Sequence, residues 1–339
     1  MINVIVSKFG VLKNGEEVLA YCIKNDFLDL EILSYGGTIK SLKTPDKNGN
    51  FKNIVLGYES LKEYEEDQCH HACITGRIAG RTKDGILNIK GKEYQLEKNS
   101  GNNNLHGGEN GIDKKNWKGY IEYVDNRCVV LTLRYKSPHM EEGFPGEVDF
   151  IVKYIVRDNN VTIEYTGIPD RDTYINLTNH AYFNLSGDFS KTIENQKLKL
   201  YMDGYGEVNN ETLPIKYEKE NILIDKNKEN ILKDIFNSDN PQVKIVGGGI
   251  DHPFILSKDE LIDGYLKDDE SGRILKFKTD QPVVVVYTGN FLEKKHTGIC
   301  FETQDYPDVF NFMPMKAEIH NERNIYYQKT TFIFEKEAQ

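Results

Sequence analysis

The chain has 339 residues, with 53 Asp and Glu against 43 Lys and Arg, and a formal net charge of −10 at pH 7. Hydrophobic residues make up 38%, enough to build a core and too many for a chain that stays disordered. The acidic balance excludes a nucleic-acid binder working through a broad basic surface, and no run approaches the ~20 apolar residues of a membrane-spanning helix. Five scattered cysteines, Cys22, Cys69, Cys73, Cys128 and Cys300, imply no disulfide framework. Met1 to Ser7 is too short and too mixed for a signal peptide, so the expected compartment is the cytoplasm.

Tyr and Phe dominate the aromatics, 20 and 16 against one Trp, a composition suited to half-buried strands. In chain order, Val18 to Ile23 and Leu28 to Leu33 alternate with period two and are expected as strands, and Leu61 to Glu66 has helical spacing. Val129, Leu131, Leu133 and Tyr135 alternate with Val130, Thr132 and Arg134, which predicts a strand with one buried face. Val148, Phe150, Val152, Tyr154 and Val156 do the same; Asp158-Asn159-Asn160 makes a turn, and Val161, Ile163 and Tyr165 return as a hairpin. The Lys/Glu/Asn-rich run from Lys216 to Lys233 reads as a surface excursion and Ile231 to Phe236 as a short helix. Ile274 to Phe277, Val283 to Tyr287 and Ile325 to Phe334 read as further strands. Strands at this density imply an all-β sandwich or barrel. Nothing rich in Pro, Gly or Ser divides the chain, so residues 1–339 are expected to form one domain.

Five segments could carry chemistry. Arg77 and Arg81 are two of only eight arginines and fall in the glycine-flanked run Thr75-Gly-Arg-Ile-Ala-Gly-Arg81. An Arg fork recognises paired oxygens, although a turn arginine on the surface explains the pattern equally. His106, in Asn102-Asn-Asn-Leu-His-Gly-Gly108, is either a hydrogen-bonded turn residue or a ligand contact. His180 lies in Asn176-Leu-Thr-Asn-His-Ala-Tyr-Phe-Asn-Leu-Ser-Gly187, where polar residues interrupt a strand-like alternation. Unpaired polar groups in a strand cost energy, so the set reads either as a lined polar cavity, with His the side chain best suited to proton transfer near neutral pH, or as a core in which His180 is simply hydrogen-bonded. Asp251, in Gly247-Gly-Gly-Ile-Asp-His-Pro-Phe254, suits either hydroxyl recognition or its own turn. Glu302 shares a strand face with Cys300 in Thr297-Gly-Ile-Cys-Phe-Glu-Thr-Gln304. Spacing leaves two readings: an edge-facing Glu302, or one drawn inward beside a buried cysteine, where desolvation raises its pKa into a range useful to a base. Cys69, His70, His71 and Cys73 fit no closed zinc spacing. Gly247-Gly-Gly249 lacks the Lys-Ser/Thr of a phosphate loop.

Taken together, the motifs resemble the galactose mutarotase (aldose 1-epimerase) family nearly end to end. The resemblance is carried by Gly76-Arg-Ile-Ala-Gly-Arg81, Asn104-Leu-His-Gly-Gly108, Gly111-Ile-Asp-Lys-Lys-Asn-Trp117, Glu142-Gly-Phe-Pro-Gly146, the 176–187 segment, Gly249-Ile-Asp-His-Pro-Phe254 and Glu302-Thr-Gln304 with Pro307-Asp308. Four positions depart from the family's usual pattern: Gly80 for Asn, Ala181 for Ser, Ser137-Pro-His-Met140 for Ser-Pro-Asp-Gly, and Val309 for Ala. Gly80 and Met140 are expected to alter loop shape near the sugar.

The resemblance implies a large antiparallel β-sandwich, the galactose mutarotase-like supersandwich, with a monosaccharide in an open cleft. It also implies Glu302 as general base, His180 as general acid, and Arg77, His106 and Asp251 as hydroxyl contacts. The implied reaction, anomer interconversion of free hexoses such as galactose and glucose by ring opening, involves no redox change and so needs no cofactor and no metal. Mutual attraction is expected to lower the Glu302 pKa and raise that of His180. The alternatives are an epimerase of a phosphorylated or modified sugar, a non-catalytic sugar-binding module, and, more weakly, a glycosidase with Asp251 beside Glu302. The sequence does not choose between monomer and homodimer.

Overall fold

A computed structural model describes residues 2–219 and 223–337. Three large antiparallel sheets organise the described residues, beside three two-stranded pairs. The first is a five-stranded meander of Asn3–Val11, Glu17–Lys24, Asp29–Leu33, Ile39–Pro45 and Phe51–Asn53. The second has nine strands, in the order Lys118–Val124, Cys128–Ser137, Val148–Arg157, Asn160–Pro169, Tyr326–Lys336, Arg273–Thr279, Gly264–Asp268, Lys197–Leu200 and Asn230–Ile231. The third runs Pro214–Glu218, Met202–Val208, Asp251–Leu256, Val283–Tyr287 and Cys300–Gln304. One buried cluster draws on all three, including Leu30 and Ile32, Phe150 and Tyr165, and Phe254, Val286 and Phe301. Apolar faces of antiparallel sheets cover one another this way in a β-sandwich.

The nine-stranded sheet follows the sequence pattern closely. Val148, Phe150, Val152, Tyr154 and Val156 are buried while their neighbours are half-exposed. The Asp158–Asn159 turn sets a register in which Tyr154 faces Ile163 and Val156 faces Val161. The helix Leu61–Glu66 forms as expected, its start fixed by a reciprocal cap in which Ser60 accepts from the Glu63 N–H and Glu63 accepts from the Ser60 N–H. The second short helix covers Leu232–Phe236. Within the run 216–233, Asp225 to Lys228 form an exposed turn, Leu223, Ile224 and Leu232 are buried, and 220–222 lie outside the described residues.

The segment 176–187 departs from expectation. Only Thr178–Asn179 is strand, paired with Ile74–Thr75. Its polar side chains tie loops together and do not line a cavity: Asn176 Oδ1 accepts from the Asp305 N–H at 2.9 Å, Asn179 Nδ2 donates to the Ala72 carbonyl at 3.0 Å, and Asn184 Nδ2 to the Thr297 carbonyl at 2.8 Å. Irregular backbone inside a protein leaves peptide groups unpaired, and asparagine supplies both donor and acceptor to meet them. His180 is the member of this set that faces open space.

Candidate active site

The third sheet carries a cleft. Its register places Asp251 beside Tyr287 and Tyr287 beside Cys300, and, one pair along, Pro253 beside Val285 and Val285 beside Glu302. Period two then assigns Asp251, Pro253, Val285, Tyr287 and Glu302 to one face, where all five line the cleft. The alternate residues Phe254, Val284, Val286 and Phe301 enter the core. Cys300 and Glu302 share a face, as the sequence pattern implied.

The opposite wall is built from loops. His180 is clamped by backbone on both sides: its N–H donates to the Cys73 carbonyl at 2.9 Å and its carbonyl accepts from the Ala72 N–H at 3.0 Å. Its Nε2 lies 3.5 Å from Glu302 Oε1, and both side chains are almost wholly buried. Behind it, Cys300 Sγ is 3.6 Å from His180 Nδ1. His106, at φ +50°, stands edge-on to His180 with ring centres 5.1 Å apart. Its Nδ1 accepts from the Gly80 N–H at 3.2 Å, which places its own proton on Nε2. Gly107 is required beside it, since a Cβ there would sit 1.9 Å from the Gly76 carbonyl oxygen.

Burial dominates the electrostatics. Desolvation, with Asp251 adding to it and Arg81 opposing, pushes the Glu302 carboxyl up to about 8. Desolvation, with His70 nearby, pulls His180 down to about 3. His106 is likewise held well below its ordinary value by burial. Asp251 is raised by burial against the pull of Arg81. The expected mutual stabilisation of an ionised pair is therefore overturned. With both groups out of water, burial favours the neutral form of each, protonated Glu302 and uncharged His180.

Of the five expected site residues, four converge on the cleft: Glu302, His180, His106 and Asp251. Arg77 does not. It is 2% exposed, and its donors all meet protein acceptors: Nε to Ser137 Oγ at 2.9 Å, Nη1 to the Gly146 carbonyl at 2.8 Å, and Nη2 to the Pro138 carbonyl at 2.8 Å. A guanidinium surrounded in this way has nothing left for a ligand; Arg77 fastens the 137–138 and 145–146 turns. The cleft arginine is Arg81. The pairing of Arg81–Thr82 with Asn104–Leu105 sets Arg81 across from Leu105 and so next to His106. That long-range bridge, invisible in local spacing, distinguishes the two arginines. Gly80, at φ +76°, also lines the cleft, whereas Met140 lies outside it. The aromatic walls are Tyr182, Tyr287 and the largely exposed Phe291.

Among the described residues, two sets of donors are close enough for a metal ion, His106 with His180 and Glu302, and His70 with Cys73 and Asp113, each within 4.8 Å. In the second set the Cys73 thiol donates to the His70 carbonyl at 3.3 Å and Asp113 holds the His70 ring, so the donors are engaged with one another.

Comparison with known proteins gives the family and the fold. The aldose 1-epimerase family model matches residues 20–331. The chain belongs to the aldose 1-epimerase family. It is 32% identical to galactose mutarotase of Sus scrofa, over 98% of this chain and 99% of that protein. It is also 32% identical to aldose 1-epimerase of Haemophilus influenzae, over 90% and 92%. Among solved structures, galactose 1-epimerase from Lactobacillus acidophilus superimposes over the full length of both chains with a TM-score of 0.89 and 25% identity. The fold is thus that of the galactose mutarotases, an all-β sandwich. No helix among the described residues is long and apolar enough to cross a membrane.

Proposed function

We propose that the protein is an isomerase that interconverts the α and β anomers of free hexoses such as galactose and glucose, with Glu302 and His180 as the acid–base pair. The observation that carries this reading is the pair itself, 3.5 Å apart on the cleft wall and buried. Around it stand donors and acceptors suited to sugar hydroxyls, Arg81, His106 and Asp251.

In ring opening, Glu302 takes the proton of the C1 hydroxyl, whose electron pair forms the aldehyde. The bond from C1 to the ring oxygen breaks, and that oxygen receives the His180 proton. Rotation about C1–C2 presents the other face, and the same groups with exchanged protons close the ring. The starting state, ionised Glu302 with protonated His180, holds the same one proton as the empty site and differs by its transfer across the pair. The state of the empty site, protonated Glu302 with neutral His180, is the one that meets the open-chain aldehyde: Glu302 returns a proton to the carbonyl oxygen while His180 accepts from the attacking hydroxyl. Ring opening thus starts from the proton arrangement that burial disfavours and leaves the pair in the one it favours.

Arg81 is the one Arg or Lys among the described lining residues, which favours a neutral sugar over a phosphorylated one. Five free cysteines agree with a reducing cytoplasm. Polarimetry on freshly dissolved α-galactose and α-glucose tests the reading. Equilibration well above the spontaneous rate is expected, and a purified protein that leaves that rate unchanged overturns it.

A further inference from the structure

The histidine run that spacing excluded as a zinc site contains a residue that the proposed reaction leaves unused. His70 lines the cleft, with its ring centre 4.8 Å from that of His106 and 5.9 Å from that of His180. Its Nδ1 lies 3.0 Å from Asp113 Oδ2. Asp113 comes from a distant loop, the turn Ile112–Lys114, and is buried. That turn is fixed in place: Trp117 Nε1 donates to the Ile112 carbonyl at 3.0 Å, and the Gly36 N–H to the Lys115 carbonyl at 2.8 Å. The other carboxylate oxygen, Oδ1, has no hydrogen-bond partner among the described residues. Burying a carboxylate is costly unless it does something specific for a neighbour, and here the neighbour is one imidazole.

A carboxylate on Nδ1 fixes a histidine's tautomer and ring orientation. In the neutral imidazole, a proton donated from Nδ1 to Asp113 leaves Nε2 of His70 as an acceptor. His106 is set the opposite way, because the Gly80 N–H occupies its Nδ1 and leaves Nε2–H as a donor. Two adjacent imidazoles therefore offer one acceptor and one donor, the pattern that a sugar hydroxyl or a vicinal diol satisfies.

We infer that His70, oriented by Asp113, is a further sugar-hydroxyl contact that contributes to hexose preference. The inference rests on the proposed mutarotase reading. Asp113 is a positioning residue, acting through the imidazole.

Polarimetric kinetics on galactose, glucose and their 2-deoxy and 6-deoxy forms test it with three variants. His70→Phe keeps the ring and removes the acceptor. Its KM on the preferred hexose is expected to rise roughly tenfold, with kcat changing much less, as loss of one buried hydrogen bond implies. On a deoxy sugar lacking the contacted hydroxyl the penalty should vanish. His70→Gln, whose amide oxygen reaches the position of Nε2, should restore most of the affinity. Asp113→Ala should raise KM in the wild-type background and add nothing on top of His70→Phe, the signature of one unit. A folded His70→Phe with wild-type KM on every sugar overturns the inference. Should that variant not fold, His70→Gln and Asp113→Ala carry the same decision: wild-type KM in both overturns it. A wild-type protein inactive on all hexoses would instead sink the mutarotase reading, so the two failures are distinguishable.

Discussion

The nine-stranded sheet and the cleft-bearing five-stranded sheet are built from the same antiparallel ladders, yet they bury their residues differently. In Val148–Arg157 of the first, burial alternates strictly, because one face meets the core and the other meets water. In Cys300–Gln304 of the second, every residue is buried. One face packs Phe301 into the core; the other carries Glu302 into a cleft. A strand covered on both sides loses its hydrophobic alternation while keeping its geometric one. What separates the faces is the polar burial each must meet: Thr303 beside Phe301 finds a hydroxyl partner in Thr330 at 2.6 Å, whereas on the cleft side a carboxyl is buried.

Substitutions on the two sides should therefore fail in different ways. Glu302→Gln is expected to have the largest effect, lowering kcat by about 10²–10⁴, the range for a positioned proton-transfer group, as read by polarimetry. The same change should raise stability. The buried carboxyl has a folded pKa of about 8 against an ordinary 4.5, so folding takes up a proton between those values and wild-type stability falls as pH rises through that window. Glutamine has no such proton, and its advantage in thermal unfolding should grow from pH 5 to pH 8. Phe301→Ala, the next residue on the other face, should cost about 3–5 kcal/mol of stability in denaturant titration, while the protein that remains folded keeps turning over.

The two arginines sharpen the contrast further. Arg77→Met should destabilise by about 3 kcal/mol, since several buried acceptors lose their donor at about 1–3 kcal/mol each. Arg81→Ala should barely move the unfolding midpoint and should raise KM by about 10- to 100-fold, the range for a charged hydrogen bond. The smallest effect is that of pH on the wild type. Glu302 is faced by His180, Asp251 and Arg81, and His180 by His70, His106 and Cys300. The pair needs its one proton, so kcat/KM should hold through neutral pH and fall as pH passes about 8. A profile still rising at pH 9 would contradict that assignment.

This difference between sheets also governs what could be read in the sequence. Period two gave the Val148–Val156 and Val161–Tyr165 hairpin almost residue for residue, because each polar position reports solvent. The strand face shared by Cys300 and Glu302 was legible for the same geometric reason. Segment 176–187 misled, since its asparagines serve backbone groups of neighbouring loops and local spacing does not reveal such partners. Arg77 and Arg81 present the same problem: the same residue type, the same flanking glycines, and a choice made by turns at 137–146 and a bridge to Leu105. Ligand spacing gives His70 no role; its partner Asp113, 43 residues away, is brought to it by the fold. Residue resemblance pointed to the candidate cleft; tertiary pairing decided which of the named residues line it.

The 3.5 Å separation of His180 and Glu302 has one more consequence. On the proposed cycle the proton removed from O1 and the proton delivered to the ring oxygen are both held by the enzyme and both returned when the ring closes. Each turnover restores the pair without exchange with bulk water. The catalysed rate should then be indifferent to buffer concentration at fixed pH, although the spontaneous reaction is accelerated by buffer acids and bases. The buried pair does the work of a buffer confined to two side chains.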